Sequence, residues 1–406
     1  MPHEPKVLRL PAWHAARYER LAETGPGRFD RLAERIDAGT PAQRDRAVDV
    51  LRALAILGVV LGHWLVTALV PQPGGGLRVA SPLQAMPALE PATWLLQTLA
   101  VFFLVGGYST AKSLRPGEPY RDWTKRRLGR LVRPVPPLLL AVALLSGALL
   151  WSGHPADTVQ RLALLALSPL WFLCVYGALA LLAPALAAVC RRTGPWAAVV
   201  PFGATAVLDL GPEPLAWGTV LTCWPVPFLL GIAWAQGAFT RRRGPVLLLA
   251  GGSVATALLV LFAGYPASMV GVPGAAVSNL SPPTLAAATF GLAQTGGALL
   301  LRGPLTRWAR RPGRWAVIAL VTMSSMTIFL WHQPVLLATS VTAHAFGTPP
   351  GLLTAPGHPG WLWSRLLWLP VLAAVLTALA VPVRGIGRRR TQPRRRFVHL
   401  MKGAPR

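Results

Sequence analysis

Ten apolar runs take up most of the chain, near 48–70, 92–114, 131–151, 168–190, 195–210, 216–237, 245–264, 284–302, 315–341 and 361–383. At about 1.5 Å of helical rise per residue, all but the short fifth run can cross a hydrocarbon core of about 30 Å. In lipid the backbone must satisfy its own hydrogen bonds, so such runs are expected to be helices. The predicted fold is therefore an all-α, polytopic membrane bundle of about ten transmembrane helices. The basic residues set its orientation. With a cytoplasmic N-terminus, the even-numbered connections and the C-terminal tail are cytoplasmic too. Of the 40 Lys and Arg residues, all but Arg78, Arg161 and Arg365 then lie on that side. This is the positive-inside pattern, and it predicts a multi-pass cell-membrane protein with both termini in the cytoplasm.

Composition agrees. Hydrophobic residues make up 53% of the 406 and charged residues only 13%, about half the share in a soluble chain. The formal charge of +26 is spread between apolar runs and not gathered on one soluble domain, which argues for membrane topology and against a nucleic-acid partner. Cys174, Cys190 and Cys223 lie in or beside apolar runs with no CxxC spacing, so neither a metal site nor a disulfide framework is expected. The polar first 46 residues lack the apolar core of a cleavable signal. Three segments follow: a cytoplasmic amphipathic lead-in over 1–46, a membrane domain over 47–385, and a basic cytoplasmic tail over 386–406, expected to be disordered.

In the lead-in, Trp13, Tyr18, Leu21, Phe29, Leu32 and Ile36 alternate with Arg17, Arg20, Arg28, Arg31 and Arg35. Two short amphipathic helices are predicted, broken at Gly25-Pro26-Gly27. Both the inner leaflet and the end of the bundle suit such a face. The segment Thr158–Leu167 reads as a re-entrant or interfacial piece. The outer connections are too small for a folded domain, so any chemistry lies in the bundle or at its mouths.

Within the first run, Asp49, Arg52 and His63 form one stripe. Arg52 and His63 are eleven residues apart, about 20° from facing the same way and about 16 Å apart along a helix. Asp49 precedes Arg52 by three positions and can pair with it or neutralise it. Ionisable groups at membrane depth usually face a bundle interior or a watered cavity, so this stripe marks a candidate functional wall. In the ninth run, counted as one helix from Trp315, His332 reaches a depth similar to His63. Trp171 opens the fourth run near that level. Two imidazoles and an indole could line one pocket; Trp331 and His332 also suit an interfacial belt. On the inner side, Arg127, Arg130 and Arg133 recur every third position and present guanidinium groups along one face. They suit phosphate oxygens and equally suit anchoring at lipid headgroups.

Taken in order, these elements resemble the acyltransferase-3 family. They are Asp49-x-x-Arg52-x10-His63, Phe102-Phe-Leu-Val-Gly-Gly-Tyr108, the Arg127/Arg130/Pro134 run, Trp171-Phe-Leu173, and Ser325 through Phe329-Leu-Trp-His332-Gln-Pro334. The likeness covers about 44–385. Gly106 stands where that family usually has Ser. The resemblance implies an integral membrane O-acyltransferase with His63 as a catalytic residue beside Arg52 and Asp49. It implies an acyl-CoA donor entering from the cytoplasm and a hydroxyl acceptor on a carbohydrate or another exported or lipid-linked compound, with no tightly bound cofactor. On that reading His332, Trp171 and Ser325 bind the acceptor, Arg127, Arg130 and Arg133 hold the donor's phosphates, and acetyl is the default acyl group. His63 can act as general base or as a covalent acyl relay. No Walker loop, HExxH or GxSxG is present. Gly231, Gly237, Gly251 and Gly252 read as helix-packing positions. The competing reading is a transporter or flippase that uses the Arg52/His63 pair as a relay. Against it stand the lack of an internal repeat and the near absence of acidic residues from the runs.

Overall fold

The computed structural model describes residues 27–74 and 76–389. The first predicted amphipathic helix of the lead-in, around Trp13 to Leu21, lies outside these residues, as do the tail residues from 390 onward. The described chain is mostly helical. In order, its longer helices are α1 (Arg28–Ala38), α2 (Arg46–Val66), α3 (Leu99–Ser113), α4 (Tyr120–Val132), α5 (Val135–Trp151), α6 (Ala156–Leu167), α7 (Leu170–Thr193), α8 (Val199–Asp209), α9 (Pro225–Ala235), α10 (Arg243–Phe262), α11 (Leu285–Trp308), α12 (Pro312–Met323), α13 (Ser325–His344) and α14 (Pro359–Arg389).

Among the described residues, seven helical stretches are long and apolar enough to cross a membrane, or up to eight if α12 and α13 count as one broken span. All ten apolar runs of the sequence fall largely on helices, yet the counts differ: the run 284–302 lies on α11, which is not among the seven, and two other runs change character. The run 195–210 becomes α8, whose 11 residues reach only about 17 Å. The run 315–341 is not one helix but two, interrupted at Ser324. The last helix continues to Arg389, past the end of its apolar run.

One correction concerns strands. The first run was read to about 70, but α2 ends at Val66, and β1 (Ala68–Pro71) pairs antiparallel with β2 (Leu77–Ala80). Pairing explains it: Ala68 and Ala80 are buried partners that pack with Trp361, while Pro71-Gln-Pro-Gly supplies the turn. Among the described residues the fold is thus helical with one small hairpin.

The chain divides into two compact units. Among the described residues, the smaller comprises 27–50 and 302–323. In it α1 packs on α12, so the second lead-in helix covers protein. Asp37 pairs with Arg46 at 2.7 Å, and Asp45 pairs with Arg302 at 2.9 Å. The Arg46 guanidinium lies 4.7 Å over the Trp315 ring, and Trp315 Nε1 donates to Thr40 Oγ1 at 2.7 Å. Asp49 is buried and accepts from Arg44 Nε and Nη2 at 2.7 and 3.0 Å. A bidentate guanidinium of this kind offsets the desolvation of a buried carboxylate.

Among the described residues, the larger unit comprises 51–301 and 324–389. Its closest helix crossing joins α3 and α9. A Cβ on Gly107 would run into the carbonyl of Phe228, and a Cβ on Gly231 into that of Leu104. Paired glycines therefore let the two backbones touch, as small residues do in membrane helices. Gly252 serves α10 and α11 likewise, whereas Gly251 faces open space and Gly237 is a turn residue at φ 99°. Thr98 Oγ1 donates to Ala55 O at 2.7 Å, fixing the start of α3 beside the middle of α2.

The long connection between α10 and α11 is ordered by hydrogen bonds. Asn279 Nδ2 donates to Pro266 O and Ser268 O, both at 2.8 Å, and its Oδ1 accepts from Thr284 at 2.7 Å. Met269 N donates to Thr93 Oγ1 at 2.8 Å. Asp209 Oδ2 accepts from Tyr265 OH and Leu285 N, each at 2.7 Å.

Candidate active site

Inside the larger unit lies a cavity of about 840 Å³. His63 from α2 lines it, with His332 and Gln333 from α13 and Trp171 and Phe172 from α7. The β2 residues Val79 and Ala80, and Val270, Gly271 and Pro273 of the 263–284 connection, close its other end. The helices bring the two histidines together: their ring centroids are 5.0 Å apart and their planes perpendicular.

The two rings are held differently. His332 is fully buried, and its Nδ1 sits 2.6 Å from Phe329 O. A carbonyl only accepts, so that nitrogen carries a proton, and a neutral ring then has a bare Nε2. This Nε2 has no hydrogen-bond partner. The His332 carbonyl accepts from Trp64 Nε1 at 2.9 Å, locking α13 to α2. His63 is half-buried at the cavity wall, with Nδ1 2.9 Å from Gln333 Nε2. Its second ring nitrogen is the atom left to meet a ligand. Gln333 Oε1 is buried without a partner.

The other sequence-predicted residues separate into groups. Trp171 lines the cavity, packed on Phe172 and Trp224. Ser325 opens α13 about two turns before His332 and does not line the cavity. Arg52 is half-buried, donates to Ser109 Oγ and does not line the cavity either. Asp49 is held by Arg44 in the smaller unit. Of Arg127, Arg130 and Arg133, only Arg127 turns inward, donating to Thr110 Oγ1 at 2.6 Å and Tyr176 OH at 2.8 Å, with Nε buried and unpartnered. Arg130 is exposed and donates back to Arg126 O at 3.2 Å; Arg133 is exposed at the end of α4. The expected guanidinium ladder is therefore one inward arginine and two outward ones.

Aromatic rings occupy the region between Arg127 and the cavity. Phe329 and Phe172, both on the cavity wall, lie 5.0 Å apart by centroid. Phe102 contacts each at 6.0 and 4.8 Å, and Phe172 stacks on Tyr176 at 5.8 Å. Gly106 belongs to this cluster, because a Cβ there would collide with the Tyr176 ring. The absence of a side chain at 106 and the tyrosine at 176 fit one another.

Sequence reasoning overlooked two residues. Gln333 was visible between His332 and Pro334, but an uncharged amide gives no signal until its neighbour is known. Arg365 was set aside as one of three outer cations. It is fully buried in α14, with Nη1 donating to Gly351 O at 3.1 Å and Nε and Nη2 donating to Trp64 O and Thr67 O. A cation inside an apolar run was itself the clue.

Among the described residues no cluster of His, Cys, Asp and Glu could hold a metal ion. A family model described as an acyltransferase domain, Acyl_transf_3, matches residues 45–385. No curated protein and no solved structure matches the chain.

Proposed function

The chain belongs to the acyltransferase-3 family and is a multi-pass membrane acyltransferase; from that premise we propose that it moves a small acyl group, acetyl by default, from cytoplasmic acyl-CoA to a hydroxyl. The acceptor is a carbohydrate or another exported or lipid-linked compound. One observation carries this reading: His63 presents one ring nitrogen to an 840 Å³ cavity while Gln333 holds the other.

The chemistry follows from the ring. As general base, His63 takes the hydroxyl proton at Nε2 while the oxygen attacks the thioester carbonyl. The carbon–sulfur bond then breaks, and the imidazolium returns its proton to the departing thiolate, leaving ester and free thiol. The reacting tautomer carries its proton on Nδ1 and donates it to Gln333 Oε1. Turning the amide end for end supplies that bond and gives the buried Oε1 its missing partner. In the covalent alternative Nε2 attacks the thioester first, and the acyl-imidazole is then opened by the hydroxyl. His332, with a bare Nε2 beside the His63 ring, is suited to receive a hydrogen bond from the acceptor.

Arg127, aided by Arg52, Arg130 and Arg133, would hold the donor's phosphates, since guanidinium groups suit phosphate oxygens. To reach His63 from there, the thioester arm must displace the rings of Phe102, Phe172, Tyr176 and Phe329. A phosphate that took the Arg127 hydrogen bonds would release Tyr176 OH. The basic connections support an arrangement with both termini cytoplasmic and the cavity opening to the opposite side.

Mass spectrometry of hydroxyl compounds from cells making the wild-type chain or His63→Ala tests this. Products heavier by one acyl group should appear with the wild type only. Transport of unmodified compounds without an acyl donor would favour the transporter reading instead.

A further inference from the structure

The cavity beside His63 has a chemistry of its own. Its volume of about 840 Å³ is far beyond an acetyl group and sits near the top of the range that takes drug-sized ligands, about 300–1,000 Å³. Yet among the described residues the two histidines are the only ionisable side chains on its wall. The rest is mostly Val, Leu, Pro, Phe and Trp.

Most of the few polar side chains on that wall already hold a partner, and Thr67 and Ser281 add only two further hydroxyls. Thr98 Oγ1 donates to Ala55 O at 2.7 Å, and Ser168 Oγ to Leu165 O at 2.8 Å. Gln97 Oε1 accepts from Leu99 N at 3.3 Å. Gln333 faces His63, and His332 Nδ1 faces Phe329 O. A sugar bound here would bury most of its hydroxyls without partners, which is unfavourable for every one of them. A phosphate-bearing acceptor would find no cation. The wall is also apolar where it is open: Trp217 and Leu221 are 59% and 72% exposed. In a bilayer that rim admits an apolar ligand without desolvating any charge.

We infer that the acceptor is an uncharged compound with a large apolar body and few hydroxyls, not a carbohydrate, entering past Trp217 and Leu221. This rests on the acyl-transfer reading and narrows its substrate class. One hydroxyl reaches His63, while Val220, Val270 and Trp171 enclose the apolar body.

The test uses the full chain in lipid nanodiscs with two probes of equal heavy-atom number, a polycyclic monoalcohol and a disaccharide. Without acyl-CoA, the monoalcohol should raise the melting temperature and the disaccharide should not. With acetyl-CoA, kcat/KM for the monoalcohol should exceed that for the disaccharide at least about a hundredfold, as unpaired buried polar groups discriminate strongly. Equal stabilisation by the disaccharide, or a preference below about tenfold, overturns the inference and leaves acyl transfer standing. Stabilisation by the monoalcohol with no release of coenzyme A from either mixture would support the ligand class while defeating the acyltransferase reading. No stabilisation by the monoalcohol overturns the inference outright.

Discussion

Replacing Arg365 by Met probes how the His63 helix is held. Arg365 caps the C-terminal end of α2, where Trp64 and Thr67 offer carbonyls, and ties it to Gly351. Thr67 N in turn donates to His63 O at 3.1 Å. A charged donor contributes about 1.5–3 kcal/mol per hydrogen bond, so three bonds amount to roughly 5–9 kcal/mol gross. A cation at a helix C-terminus adds about 0.3–1 kcal/mol. Burying that cation costs several kcal/mol, which Met, unbranched and apolar, would recover. The net loss is about 3 kcal/mol, or a fall in Tm of about 3–6 °C at about 1–2 °C per kcal/mol for a chain this long. Arg365→Lys keeps the charge but cannot reach three divergent carbonyls, so it should recover less than half of the loss. Thermal unfolding in detergent, followed by tryptophan fluorescence, reads this directly. A fall of less than about 2 °C for Arg365→Met, or full recovery by Lys, would refute the capping argument.

Three further outcomes are expected. Gly107→Ala forces a methyl into the Phe228 carbonyl and should destabilise the α3–α9 crossing by about 1–3 kcal/mol; Gly251→Ala, facing open space, should leave Tm unchanged. Gln333→Leu removes the group that orients His63 and should lower kcat by about a hundredfold with little change in donor KM, read in steady-state kinetics; unchanged kcat would free His63 from that partner. Asn279→Ala removes three hydrogen bonds from the connection walling the cavity and should raise acceptor KM about tenfold while sparing the donor's; an equal rise in both would refute a local role.

Much of the fold was legible because lipid leaves the backbone few options, and the apolar runs fall largely on helices. The meeting of His63 and His332 was also legible, though the argument behind it was incomplete. It counted one straight helix from Trp315, whereas α12 and α13 are separate at Ser324. The contact survives because His332 lies two turns into α13. The Arg44–Asp49 ion pair was not legible: Arg44 precedes Asp49 by five residues, outside helical i±3 and i±4 spacing. Nor could periodicity reveal that aromatic rings from α3, α7 and α13 fill the ground between Arg127 and the cavity. Helical facing tells where a residue points and not what stands in front of it. The β hairpin escaped because Ala68-Leu-Val-Pro71 simply extends an apolar run until its pairing with Leu77–Ala80 is seen.

The central claim is that the His63 ring opens the thioester. Its most direct measurement is the rate of coenzyme A release by purified full-length chain in nanodiscs, given acetyl-CoA and an acceptor alcohol, for wild type and His63→Ala side by side. With the variant's Tm within about 2 °C of wild type, the account predicts a loss of about 10²–10⁴-fold in kcat. Release at the wild-type rate by a folded His63→Ala protein would contradict it.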